Sequence, residues 1–359
     1  MQPLVIDPEL KLLARACATN FQNASETEHF VEPVDWTRLF RLASRHRIEG
    51  LAYLGLRKFP GAPFDTLESL AKSSRQIAAK SLQAIDDCIR LRDAFVAERI
   101  PMLFVKGSSL ARLAYRSPFA KQSKDIDILV GTSDVSRAAL LLGNLKFTPA
   151  PPVTVATATN WHRRMKESEW ARSDGRQIDL HGRLANSPKL IPGLGVESPY
   201  QEVEIAPGET LRTLANDELG AYLAVHGASS AWFRLKWVAD FAALLVSCEG
   251  SEIERRYRCW IRLGAGRTAG QALLVADALF TLPLSLRLRG ELNGDRVIRL
   301  LVSSSLKALV NEREPTERRF GTMAMHAIQL TSLPGVSFAV REAARQLNEA
   351  WTVRRFNRG

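Results

Sequence analysis

The stretch Phe104–Val130, "FVKGSSLARLAYRSPFAKQSKDIDILV", decides the reading of the fold. Near its end, "DIDILV" alternates acid and isoleucine from Asp125 to Ile128. In a strand, residues i and i+2 share a face. Asp125 and Asp127 therefore project together, while Ile126 and Ile128 point into a core. Two neighbouring carboxylates repel each other and need compensation before they can be buried. A divalent cation supplies it: Mg²⁺ prefers hard oxygen ligands and usually takes one or two carboxylates plus substrate phosphates. Near the start of the stretch, Gly107 and Ser108 follow an apolar run and open "SSLARLAY", which reads as a short helix. A helix N-terminus offers unpaired N–H groups and a positive dipole end, which suits a phosphate. Glycine lets that phosphate approach the backbone. The Ser108 hydroxyl and the Lys106 ammonium can add a hydrogen bond and charge.

Outward from this stretch the pattern is that of a small α/β unit. "IPMLFV", led by proline, reads as a strand start, and "SDVSRAALLLGNL" as a helix with Ser133 or Asp134 as its cap. "ESEWARSDGRQIDLHGRL" reads as two strands joined by a turn at Asp174-Gly175. In its second half, Asp179 stands between Ile178 and Leu180, so its carboxylate faces away from two apolar neighbours. If this strand lies beside "DIDILV", Asp179 completes a cluster of three carboxylates. Such a cluster could hold two metals about 3.5–4 Å apart, clamping the attacking and leaving oxygens of an in-line phosphoryl displacement. Asp179 would also be the group to activate an acceptor hydroxyl. His181 shares its face, placed to touch a phosphate or to orient Asp179.

The rest of the chain bounds these readings. It has 359 residues, 46% of them hydrophobic, enough for two or three domains with a real core. A formal net charge of +11 favours anionic partners such as nucleotides. Nucleic acid is compatible with that charge, but the mixing of acids and bases along the chain does not favour it. The four cysteines have no zinc-like spacing and read as reduced, consistent with a cytoplasmic protein. The first residues do not read as a signal peptide, and no run approaches the roughly 20 apolar residues of a membrane span.

Residues 1–99 read as helical, with Trp36, Leu39, Phe40, Leu42 and Ala43 at helical spacing. A long helix from near Thr66 to Glu98 carries Leu70, Ile77, Leu82, Ile85, Ile89 and Phe95 on or near one stripe. The α/β unit occupies about residues 100–205, with "NSPKLIPGLGVESP" as a loop. From Leu211 the pattern is helical again, so residues 206–359 read as a third, helical region with a frayed basic tail, "VRRFNRG". His46 and His226 read as structural, and Trp237 as core. The basic segments "RSPFAKQSK" and "WHRRMK" read either as borders of a nucleotide cleft or as solvated loop charge.

"KGSSLARLAY", "DIDILV" and "IDLH" together resemble the nucleotidyltransferase superfamily with a polymerase-β-like palm. More narrowly they resemble its bacterial group of uncharacterised nucleotidyltransferases, with Tyr115 at the group's helix-end tyrosine. "DWTRLFRLASRHRIEGL" and "RLKWVADFAALL" are similar to that group's flanking helical segments, the second bringing Lys236, Trp237 and Asp240. The group commonly has arginine where this chain has Lys121, which keeps the charge but loses the bidentate fork. The resemblance implies an α+β palm flanked by helical regions. It implies Mg²⁺ or Mn²⁺ on Asp125, Asp127 and Asp179, and transfer of an NMP from an NTP, by default ATP, with pyrophosphate leaving. The expected nucleotide-binding set is Lys106, Gly107, Ser108, Lys121, His181, Lys236 and Asp240. The acceptor, whether small molecule, peptide or protein, is not implied. A non-catalytic nucleotide- or partner-binding module and a DxD glycosyltransferase are the competing readings; the Gly-Ser helix points to a triphosphate rather than a nucleotide-sugar.

Overall fold

A computed structural model describes residues 6–22, 30, 32–121, 125–319 and 321–356. The chain opens with helices α1 (Pro8–Ala18), α2 (Trp36–His46) and α3 (Glu49–Leu56). Asp35 caps α2 by accepting from the Arg38 N–H at 2.9 Å. Arg47, in the left-handed region at φ 55° and ψ 46°, ends it and turns the chain into α3. Helix α4 (Phe64–Ala97) then runs through 34 residues. Its buried stripe is Leu70, Ile77, Ser81, Ile85, Cys88, Leu91 and Phe95. Leu82, expected on or near that stripe, is 61% exposed. Ser81 fills the position, because it lies four residues from both Ile77 and Ile85, whereas Leu82 is rotated a further 100° or so around the helix.

Next come β1 (Met102–Phe104), α5 (Ser108–Tyr115), β2 (Ile126–Val130), α6 (Val135–Asn144), β3 (Thr148–Pro149), α7 (Ala158–His162), β4 (Glu167–Ala171) and β5 (Gln177–His181). The five strands form one mixed sheet in the order β1-β2-β5-β4-β3. β2 and β5 are parallel, and the other pairs are antiparallel. The turn between β4 and β5 is the expected one, with Gly175 at φ 84°.

The sheet separates two cores. Phe104, Ile126, Ile128, Val130, Trp170, Ile178 and Leu180 pack on one face with the lower half of α4, α6 and α7. Leu103 and Leu129 point to the other face, into the core shared with α5 and the terminal helices. The strand period of two therefore sends the isoleucines of "DIDILV" to one core, and Asp127 and Leu129 to the opposite side.

A hairpin of β6 (Tyr200–Ala206) and β7 (Glu209–Leu214) follows the Pro- and Gly-rich loop. This corrects the sequence reading, which started the helical region at Leu211. Leu211 is a buried strand residue, and helix resumes at Asn216. "EVEIAPGETLRTL" does carry the signal: alternating apolar residues around a Pro-Gly turn, with Gly208 at φ 74°. The expected boundary at 205/206 falls inside this hairpin.

Helices α8 (Asn216–Ser229) and α9 (Leu235–Ala243) come next, and six more follow among the described residues, the last being Val336–Phe356. That last helix corrects the expectation of a frayed tail as far as Phe356, whose ring packs edge-on against Trp161 at 5.3 Å; residues 357–359 of "VRRFNRG" lie outside the described residues. Among the described residues no helix is long and apolar enough to cross a membrane.

Candidate active site

The strand register builds an acidic surface on the sheet. On the parallel pair, Asp127 stands opposite Asp179, and Leu129 opposite His181. On the antiparallel pair, Glu169 stands opposite Asp179, and Glu167 opposite His181. Asp127 and His181 are buried, at 3% and 0% exposure, and Asp179 is half-buried. One ligand atom from each of Asp127, Asp179 and His181 falls within 4.8 Å of the others, a group able to hold a metal ion. Asp125 lies outside that group. It sits one residue before β2 and lines a recess with Lys106, Gly107, Ser108 and Asp127.

Asp127 is the hub of the charges. Its Oδ1 takes the Lys106 ammonium at 2.8 Å and His181 Nε2 at 3.0 Å. Burial alone would raise the Asp127 carboxyl, but Lys106 and His181 hold it well below the usual carboxylate range. Burial would likewise lower the Lys106 amine, yet Asp127 keeps it well above its ordinary value. Asp179 has no such cation to itself. Burial first, then the charges of Asp127, Asp125 and Glu167, push its carboxyl up to about 8. Hard oxygen donors carrying excess negative charge fit a divalent cation.

The Gly-Ser turn lies where the sequence places it. Gly107 is the N-cap of α5 at φ 70° and ψ −133°. This region is open essentially to glycine alone. The Gly107 carbonyl accepts from the Ala111 N–H at 3.0 Å, and Ser109 Oγ donates to the Lys106 carbonyl at 3.1 Å. Ser108 is buried beside this turn. Gly107→Ala is expected to cost about 1–3 kcal/mol through the forced conformation alone, checked by the urea midpoint.

The other expected residues form a second cluster. Lys121 Nζ pairs with Asp240 Oδ2, both nearly inaccessible, and Tyr115 Oη donates to Asp240 Oδ1 at 2.8 Å. The three residues tie α5 and the segment leading to β2 to helix α9. Tyr115, a family match in the sequence, thus has a structural task. Removing one partner of a buried pair leaves an uncompensated charge. Asp240→Ala is therefore expected to cost about 3–5 kcal/mol of stability, and adding Lys121→Met should recover much of it in a urea titration. Lys236 is one turn before Asp240 but makes no ion pair with it. Of the two basic segments, Trp161 and His162 are buried, Lys166 pairs with Glu167 at 2.7 Å, and residues 122–124 lie outside the described residues.

Two participants escaped the sequence reading. Glu167 Oε2 lies 3.1 Å from His181 Nδ1, outside hydrogen-bond geometry. Lys166 and His181 hold it below the usual glutamate range despite its burial. The acid-serine-acid-tryptophan alternation of "ESEWA" hinted at a polar face, but not at which strand it would border. Tyr222, on α8, is fully buried within the field of Lys106 and Asp127. Nothing in its apolar helix marks it. His46 is structural as read: the Leu235 N–H donates to its Nδ1, and its Nε2 bonds the Leu309 carbonyl. His226 is half-buried, with its ring edge-on to Trp237.

A mixed sheet with an acidic face, a Gly-Ser helix start at its first strand and helices on either side is the palm of a nucleotidyltransferase. The chain belongs to the family described as uncharacterised nucleotidyltransferase, whose model matches residues 32–281. That span takes in α2 to α9, the next two helices (Gly250–Arg262 and Arg267–Phe280) and every residue of both clusters. Among curated proteins, none matches the chain.

Proposed function

We propose that the protein transfers a nucleoside monophosphate from an NTP, by default ATP, to an acceptor nucleophile and releases pyrophosphate. The observation that carries this reading is the in-register pairing of Asp127 and Asp179 beside the Gly107-Ser108 turn. Asp127 and Asp179, with Asp125 at the rim, would hold Mg²⁺ or Mn²⁺, which supplies charge neutralisation on the transferred phosphoryl group. Gly107 and Ser108 receive the phosphates at the start of α5. Lys106, already aimed at Asp127, donates to a phosphate oxygen as charge develops on the leaving pyrophosphate. Asp179 takes the proton of the acceptor hydroxyl as its oxygen bonds to the α-phosphorus and the bond to pyrophosphate breaks. His181 positions Asp127, and the Lys121–Asp240 pair braces α5 against α9. A cytoplasmic setting, matching the four free thiols, belongs to the same reading.

Incubation with each α-labelled NTP and Mg²⁺ or Mn²⁺, alone and with cell extract, should label an acceptor or the protein itself. The label should vanish in Asp127→Ala. Undiminished labelling in Asp125→Ala/Asp127→Ala would sink the proposal, and NTP binding without turnover would favour the non-catalytic module.

A further inference from the structure

The seam between the N-terminal helices and α9 carries a cationic pair, Arg47 and Lys236, of which only Lys236 belongs to the expected nucleotide-binding set. The Leu235 N–H donates to His46 Nδ1 at 3.1 Å, and Arg234 Nη1 donates to the Arg45 carbonyl at 2.6 Å. These bonds lock the last turn of α2 to the first turn of α9. The next residue on each segment is a cation: Arg47 after His46, and Lys236 after Leu235. The other cations of the seam are matched. Arg45 donates to the Phe233 and Ala308 carbonyls, Arg234 pairs with Glu314 at 2.9 Å, and Lys121 pairs with Asp240. Arg47 and Lys236 are half-buried, and neither side chain makes a hydrogen bond or ion pair among the described residues.

The two also act on each other. Burial, then Lys121 and Arg47, push the Lys236 amine down to about 7, against the pull of Asp240 and Asp125. Like charges held together and partly desolvated are unfavourable unless an anion joins them. Asp125, within electrostatic reach of Lys236, lines the recess of Lys106, Gly107 and Ser108. Lys236 also lies one turn before Asp240 on α9, and Asp240 holds Lys121, four residues before Asp125, which puts the pair on the Asp125 side of the palm.

We propose that Arg47 and Lys236 form a clamp for a polyphosphate, the β- and γ-phosphates of the nucleotide, so that the N-terminal helices complete the site. The choice of nucleotide as carrier rests on the transferase reading; the anion site itself does not. A guanidinium grips two phosphate oxygens at once, and the lysine adds a point charge. The geometry also gives the N-terminal region a role beyond covering the palm.

The test is calorimetric titration of sodium tripolyphosphate, without nucleotide, into the full chain and two variants. Arg47→Asn suits the purpose because asparagine tolerates the left-handed cap; Lys236→Met removes the other charge. Each variant should bind tripolyphosphate about 10- to 100-fold more weakly and show a shallower salt dependence. Tripolyphosphate should also slow phenylglyoxal modification of Arg47 in the unmutated protein, mapped by mass spectrometry, so a poorly folding variant does not leave the matter open. Wild-type affinity in Arg47→Asn, no binding by the wild type, or no protection of Arg47 would each overturn the clamp. None of these readouts needs nucleotidyl transfer, so loss of the transferase reading and loss of the clamp are told apart.

Discussion

Asp127→Asn is expected to abolish nucleotidyl transfer and to weaken the fold at the same time. The carboxylate is the centre of the proposed cation site, and loss of one such electrostatic contact typically lowers the rate by about 10²–10³-fold or more. It is also the counter-ion of half-buried Lys106 and the acceptor from His181. An amide leaves that ammonium desolvated and unpaired, at a cost of about 3–5 kcal/mol. Urea unfolding of the metal-free protein checks the second effect and α-labelled NTP the first. Adding Lys106→Met should return most of the stability and none of the activity. If Asp127→Asn unfolds at the wild-type urea concentration, the Lys106–Asp127 pair does not contribute that stability.

Asp179→Asn is expected to lose transfer to a similar degree but to move stability the other way. Its carboxyl is pushed up to about 8, above the ordinary 3.8, by burial and by Asp127, Asp125 and Glu167. The folded state therefore disfavours its charge. The sign follows by linkage. The neutral form's contribution is complete below the unfolded value near 3.8, and it is lost as pH rises through about 8. An amide of the same shape carries no charge at any pH. The variant should match the wild type near pH 4 and exceed it at pH 8, by roughly a few degrees in Tm. Mg²⁺ should reverse the order, raising the Tm of the wild type but not of the variant. Below pH about 8, cation binding must also displace the Asp179 proton, so apparent Mg²⁺ affinity should rise with pH toward that value. Equal Tm values for the two proteins at pH 8 without metal would contradict the crowding of acids on this face.

Asp127 and Asp179 stand in opposite electrostatic environments that their shared sequence pattern does not carry. Both follow the same pattern, a carboxylate between two apolar strand residues, and period-two alternation places each away from the core. Only the neighbouring strands decide that Asp127 receives the ammonium and the imidazole while Asp179 receives three more acids. The third member of the close group is His181 rather than Asp125, because the residue before β2 lies at the rim and His181 reaches back to Asp127. Lys121 and Asp240, both expected at the nucleotide, stand paired with each other. Their chemistry is that of a binding site, but the packing of α5 against α9 turns them toward each other.

By itself, the sequence determined the local pieces. The "DIDILV" alternation, the Gly-Ser helix start, the Asp174-Gly175 hairpin and the flanking amphipathic helices all follow from backbone periods of 2 and 3.6 and from glycine's conformational freedom, which operate within a few residues. The tertiary structure decided what those rules do not reach. It set the β2–β5 register that makes Asp127 and Asp179 partners across fifty-two residues of chain. It brought in Glu167 and Tyr222, and it made the seam where His46 and Leu235 bring Arg47 and Lys236 together. Strand order and helix docking are chosen by the burial of whole faces, and charge balance at a site is the sum over every element that the chosen packing brings near.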